Sequence, residues 1–87
     1  MTKKLKVRDK DYWKLFDATY FKHVLFHFKN GKQKKYFIID TDWHEDNDEN
    51  KNMFVYMTSH DKDPQGMDRY SGNGINFEDV DYIEVLD

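Results

Sequence analysis

The spacing of apolar positions changes period once along the chain. Between Asp9 and Tyr20, the residues Tyr12, Trp13, Leu15, Phe16, Thr19 and Tyr20 fall within an arc of roughly 160° at the helical turn of about 100° per residue. That spacing predicts a short amphipathic helix. Asp9 or Asp11 stands where a carboxylate can cap the helix start and complement its dipole. Strand alternation fits poorly, because Trp13, Leu15 and Asp17 would share a face. Upstream, Leu5 and Val7 alternate with Lys4, Lys6 and Arg8, so residues 1–8 read as a basic arm or an edge strand.

From Phe21 onward the period is two. Val24, Phe26 and Phe28 alternate with His23, Leu25 and His27, and Asn30-Gly31 follows. Asn-Gly between two alternating runs is a strong hairpin signal, because a two-residue type I′ turn needs positive φ at both central positions. Such a turn pairs Phe28 with Gln33, Phe26 with Lys35 and Val24 with Phe37, which places Phe37 and Ile39 beside Val24 and Phe26. Asp40 to Asn52 reads as an acidic loop. Met53 to Ser59 is apolar on both parities, as in a central strand. His60 to Asn73 reads as a second long loop. A short strand at Ile75 and Phe77, a tight turn at Glu78-Asp79-Val80 and a last strand from Asp81 to Leu86 complete the chain.

The expected fold class is therefore α+β, a short N-terminal helix followed by about five antiparallel strands. In element order, residues 9–87 resemble small barrels of the Sm-like or Src-homology type, which often carry a one-turn helix before the last strand. A strongly bent open sheet with the helix on one face is the competing arrangement. The likeness is one of architecture and implies no activity.

The 87 residues fit a single domain, 1–87, without repeats. Seven Phe, six Tyr and two Trp supply large groups for a small core. The absence of Cys excludes a disulfide framework, a thiolate metal site and a cysteine nucleophile. No apolar run suits a membrane helix or a signal peptide, so the expected location is cytoplasmic. Twelve Lys against two Arg suggest an AT-rich gene, such as one from a low-GC bacterium or its phage.

A formal net charge of −3 conceals a polar division. Residues 1–37 carry eleven Lys and Arg against three Asp, and residues 38–87 carry three Lys and Arg against fourteen Asp and Glu. Either the fold keeps two faces of opposite potential, or basic and acidic strands pair across the sheet.

Candidate chemistry is sparse. His23 and His27 on a strand lie roughly 13 Å apart, too far for one ion. The loop from Asp40 to Asn50 is rich in oxygen ligands, but neither frame of an EF-hand supplies the glycine and the final glutamate. Arg69 to Gly74 precedes a strand rather than a helix, so Asn73-Gly74 reads as turn chemistry and not as a phosphate cradle. His44, Asn52 and His60 lack the surroundings of a His-Asn-His nuclease. No metal, no cofactor and no enzyme activity are expected.

What remains is interaction. Asp40, Asp42, Glu45, Asp46, Asp48 and Glu49 surround Trp43, and with Tyr70 they form the candidate protein-binding set. Carboxylates around an aromatic can imitate a nucleic-acid strand before a cationic groove. The expected function is a phage- or mobile-element-encoded inhibitor, similar in type to anti-CRISPR and anti-restriction proteins, which are often small, acidic and without cysteine. Its partner would be a host nucleic-acid enzyme, and Trp43→Ala would weaken binding more than folding. The rival reading is a nucleic-acid-binding barrel that uses Lys29, Lys32, Lys34 and Lys35, with Tyr20, Phe21 and Tyr36 to stack on bases. A third is a structural subunit whose charged faces stack into a homo-oligomer.

Overall fold

The computed structural model describes residues 3–46 and 48–87, with Asp46 described by its backbone alone. The elements are β1 (Lys3–Lys6), α1 (Tyr12–Thr19), β2 (His23–Phe28), β3 (Gln33–Asp42), β4 (Met53–Lys62), β5 (Asp68–Asn76) and β6 (Val80–Val85). One-turn 3-10 helices lie at Asp9–Asp11, His44–Asp46 and Phe77–Asp79. The six strands form one antiparallel sheet in the order β1-β6-β2-β3-β4-β5. The fold is thus α+β, one N-terminal helix with a six-stranded sheet.

β3 carries the bend. Its first half pairs with β2 and its second half with β4, and the register slips between Ile38 and Asp40. An extra residue on one strand tightens local twist and turns the ladder. A second slip, between Met57 and Ser59 on β4, bends the outer hairpin in turn. Inside the curve lie Val24, Phe26, Ile38, Phe54, Val80 and Ile83, all fully buried, with Leu15 of α1 against them. Leu5 and Val7 enter the same core from the N-terminal segment.

The hairpin register differs by one residue from the sequence expectation. His27 pairs with Gln33, Leu25 with Lys35 and His23 with Phe37, so Tyr36 and Ile38 join Val24 and Phe26 instead of Phe37 and Ile39. The turn is the cause. Phe28 N–H donates to Lys32 O (2.9 Å) and Gly31 N–H to Phe28 O (3.0 Å), closing a three-residue loop. Only Gly31 has positive φ there (88°), as in a type I turn followed by a G1 bulge, whereas a type I′ turn would need Asn30 positive too. One residue of loop length exchanges the faces of the whole strand.

The expected long loop from His60 to Asn73 is instead a hairpin. β4 runs on to Lys62 and β5 begins at Asp68, joined by the same turn geometry: Asp63 N–H to Met67 O and Gly66 N–H to Asp63 O, each 2.9 Å. Asp63 Oδ1 also accepts from the backbone of Gln65 and Met67. Gly72, expected in the long loop, and Gly74, expected in a turn, both lie inside β5. Gly72 is there for space, since a Cβ on it would fall 2.6 Å from Tyr56 O and 2.8 Å from Val55 Cγ1. The acidic loop is shorter than expected, because β3 continues through Asp42.

Two details of the helix also differ. Neither Asp9 nor Asp11 caps it: Asp9 Oδ1 accepts from Asn52 Nδ2 (3.0 Å) and Asp11 Oδ2 from Arg8 Nε (3.2 Å). Of the predicted apolar arc, Tyr12, Leu15 and Thr19 are buried, while Trp13 is 66% exposed.

Candidate interaction surface

Trp43 follows β3 directly, and its side chain turns back onto the core. Its ring meets Tyr12 edge-on (centroids 4.8 Å) and lies nearly parallel to Trp13 (6.2 Å, 19°), with His44 against it at 4.4 Å. Trp43 is half-buried, so its removal would cost stability. The exposed indole of this region belongs to Trp13, held at the border of the acidic loop by the ring it lies on. The Tyr12 hydroxyl accepts a buried hydrogen bond from Thr41 Oγ1 (2.7 Å), which ties α1 to the end of β3.

The loop is pinned by Asn52, buried to 3%. Its Oδ1 accepts from His44 N–H (2.7 Å), its Nδ2 donates to Asp9, and its backbone O accepts from Phe77 N–H (2.9 Å). Three one-turn helices thus meet on one residue. Around it opens a polar cleft of ≈ 230 Å³ lined by Asp9, His44, Asn50, Lys51, Asn52 and Glu78. Lys51 donates to Glu78 (2.7 Å), and that hydrogen bond, with the carboxylate's charge, raises the ammonium pKa above its ordinary value. Among the described residues, no group of three or more His, Asp or Glu is placed to hold a metal ion.

Of the other candidate residues, Asp40, Glu45, Asp48 and Glu49 are exposed and Asp42 is half-buried. Asp40 Oδ1 accepts from Thr41 N–H (2.8 Å), stitching the bend of β3. The side chain of Asp46 lies outside the described residues. Tyr70 is not with this group. It pairs with His60 on the outer half of the β4–β5 hairpin, seven residues along β4 from Met53, or roughly 20 Å at strand rise. His60 likewise stands apart from His44 and Asn52.

Lys29, Lys32, Lys34 and Lys35 are exposed at the tip of the β2–β3 hairpin. Glu78 and Asp79 line the cleft beside Lys29, and Lys29 N–H donates to Asp79 O (3.0 Å). Elsewhere the two charged halves pair: Lys4 with Glu84 (3.9 Å), Lys6 with Asp81, and His23 Nδ1 with Asp87 (3.0 Å). His27 lies flat on Tyr82 (4.0 Å, 10°), with Nε2 3.3 Å from Glu84 Oε1.

Phe21, between α1 and β2, has φ of +53° and is 40% exposed. The left-handed region is costly for a bulky side chain. Phe21 is held in it by hydrogen bonds on either side: Phe21 N–H to Ile38 O (2.8 Å) and Lys22 N–H to Thr19 O (3.0 Å). Its ring meets Tyr20 (4.8 Å), Phe37 (5.6 Å) and Tyr70 (5.7 Å), and Tyr70 lies on His60 (4.5 Å, 14°). Through Phe16, which touches both Tyr20 and Trp13, these rings continue to the Trp13–Trp43 pair. Strained backbone with exposed aromatics marks a surface worth testing for function.

No family model, no curated protein and no solved structure matches the chain. No helix among the described residues is long and apolar enough to cross a membrane.

Proposed function

We propose that the protein is a non-catalytic interaction module that presents the acidic β3–β4 loop to a cationic groove, as an inhibitor of a nucleic-acid enzyme would. The observation that supports this reading is the exposed Trp13 indole, stacked on Trp43 at the edge of a loop bearing Glu45, Asp48 and Glu49, with Asp40 and Asp42 on the strand that leads into it. Long-range charge would steer association, and burial of the indole would slow dissociation. The class of inhibitor, anti-CRISPR or anti-restriction, rests on composition alone. Of the two sheet arrangements expected from element order, we propose the strongly bent one, with β1 and β5 at its edges.

The test is capture of a partner from lysate of a low-GC bacterium, with and without nuclease treatment, followed by competition with duplex DNA. A single protein partner that DNA displaces, and that is lost with Trp13→Ala or with Glu45→Gln, Asp48→Asn and Glu49→Gln together, is the expected result. A partner retained by both variants would sink the acidic-face reading. Recovery of nucleic acid that neutralising Lys32, Lys34 and Lys35 abolishes would favour the basic hairpin.

A further inference from the structure

The sheet has two free edges, and they are built differently. β1 has four residues, three of them lysine. Charged side chains on a short strand are a common guard against edge-to-edge pairing. β5 has nine residues, and from Tyr70 to Asn76 it carries no charge and no proline. Its register slip with β4 adds the extra residue to β4, so β5 itself has no bulge. Residues 68–74 are all exposed. A row of backbone donors and acceptors some 20 Å long is thus left without the usual guards.

We propose that β5 pairs antiparallel with β5 of a second copy of this chain, forming a two-fold symmetric dimer with a continuous sheet. The ligand chemistry is set by the edge, since such a row of amides and carbonyls is matched by another extended backbone. The second copy is favoured by the distribution of side chains along β5. With Gly72 on the two-fold axis, Tyr70 of each copy faces Gly74 of the other, and a tyrosine beside a cross-strand glycine covers backbone that the glycine leaves bare. Asp68 and Arg69 then face Asn76 and Ile75, so no like charges meet. Isologous contact of this kind closes on itself and does not propagate into a fibre. Phe21, resting on Tyr70 from its own chain, extends the apolar margin of the seam.

A strand edge buries less than the ~1,200 Å² at which standard stable interfaces begin, so the dimer exchanges with monomer. Sedimentation velocity over a wide concentration series should show the mass rising from 10.7 kDa toward twice that value. The rise should persist in molar salt, because backbone pairing is not screened as ion pairs are. The double variant Ser71→Lys/Asn73→Lys, which copies the guard on β1 at two exposed positions, should remain monomeric across the series with an unchanged circular dichroism spectrum. Amide hydrogen exchange on the wild-type protein gives an independent reading, and only within residues 68–76 should protection increase with concentration. The proposal is overturned by a wild-type monomer at every concentration, by a dimer that the folded double variant retains, or by concentration-dependent protection confined to other strands. A dimer that dissociates in molar salt would also overturn it, in favour of stacking between charged faces.

Discussion

The two tryptophans take opposite roles at the edge of one loop. Trp43 stands among carboxylates yet packs on Tyr12 and the core, while Trp13 lies on the apolar arc of a helix yet faces outward. Trp43→Ala should lower unfolding free energy by about 2 kcal/mol, less than the loss for a fully buried ring because part of it is already wet. Trp13→Ala should change it by less than about 1 kcal/mol. Urea melts of both variants check this, and equal losses would contradict the arrangement. Gly72→Ala should cost about 1–3 kcal/mol, because a methyl at that position meets the Tyr56 carbonyl and Val55 and the backbone must move to admit it. The Asp87 side-chain carboxyl accepts from the His23 amide (2.9 Å) and lies 3.0 Å from its ring, contacts that lower its pKa. A lowered folded value favours folding only while the carboxylate is ionised. The contribution is therefore present above the ordinary aspartate range and lost as pH falls through the folded value. A carbon-detected titration of Asp87 should place its midpoint below that of an unstructured aspartate, and Asp87→Asn should flatten stability across that acidic window.

At the scale of elements, the helix, the β2–β3 hairpin and the last strand were legible because each is set by local pattern: a 3.6-residue arc, an alternation ended by Asn30-Gly31, and Ile83 and Val85 two apart. What the pattern could not decide was loop length, and so the face of β3 that turns inward. Asn30-Gly31 suits a two-residue and a three-residue turn alike, and the choice falls to whether Tyr36 and Ile38 or Phe37 and Ile39 fill the core better. The β4–β5 extension was hidden because its residues pair with each other outside the core and so show no alternation. Its one local sign was Asp63-Pro64-Gln65-Gly66, a turn sequence with proline at its second position. The candidate site was half legible. The acidic loop was plain, but its exposed indole comes from α1, and no periodicity reports that Trp13 would face outward beside Trp43. The left-handed Phe21 has no sequence signature, because it depends on the hydrogen bond of its N–H to Ile38 O on β3, a residue distant in sequence. Asn52 links three one-turn helices, so Asn52→Ala should cost about 1–3 kcal/mol by leaving the His44 amide and the Asp9 carboxylate without their partner. Amide exchange should then accelerate first at residues 44–52.

For the molecule as a whole, the division of charge along the sequence is offset at one edge of the sheet, while the lysines of the β2–β3 tip stay together. β1 lies beside β6, so the basic opening segment meets Glu84 and Asp81, and the acidic balance that is left concentrates at the β3–β4 loop and the turn before β6. Exposed pairs of this kind contribute little each, so moving from low to molar salt should shift the urea midpoint only slightly. It should weaken any partner held by the acidic loop much more.

The position of β6 bears on how the chain can be made. Residues 80–85 lie between β1 and β2, which are separated from them in sequence by most of the chain, so neither inner ladder can form while those residues remain inside the ribosome. The nascent protein can complete its β2–β3 and β4–β5 hairpins, which are local, but must hold Leu5, Val24 and Phe26 without their cover until β6 emerges. Half of the core thus stays open until β6 is available to cover it, and during that interval the chain is most exposed to proteases and to its own unguarded strands.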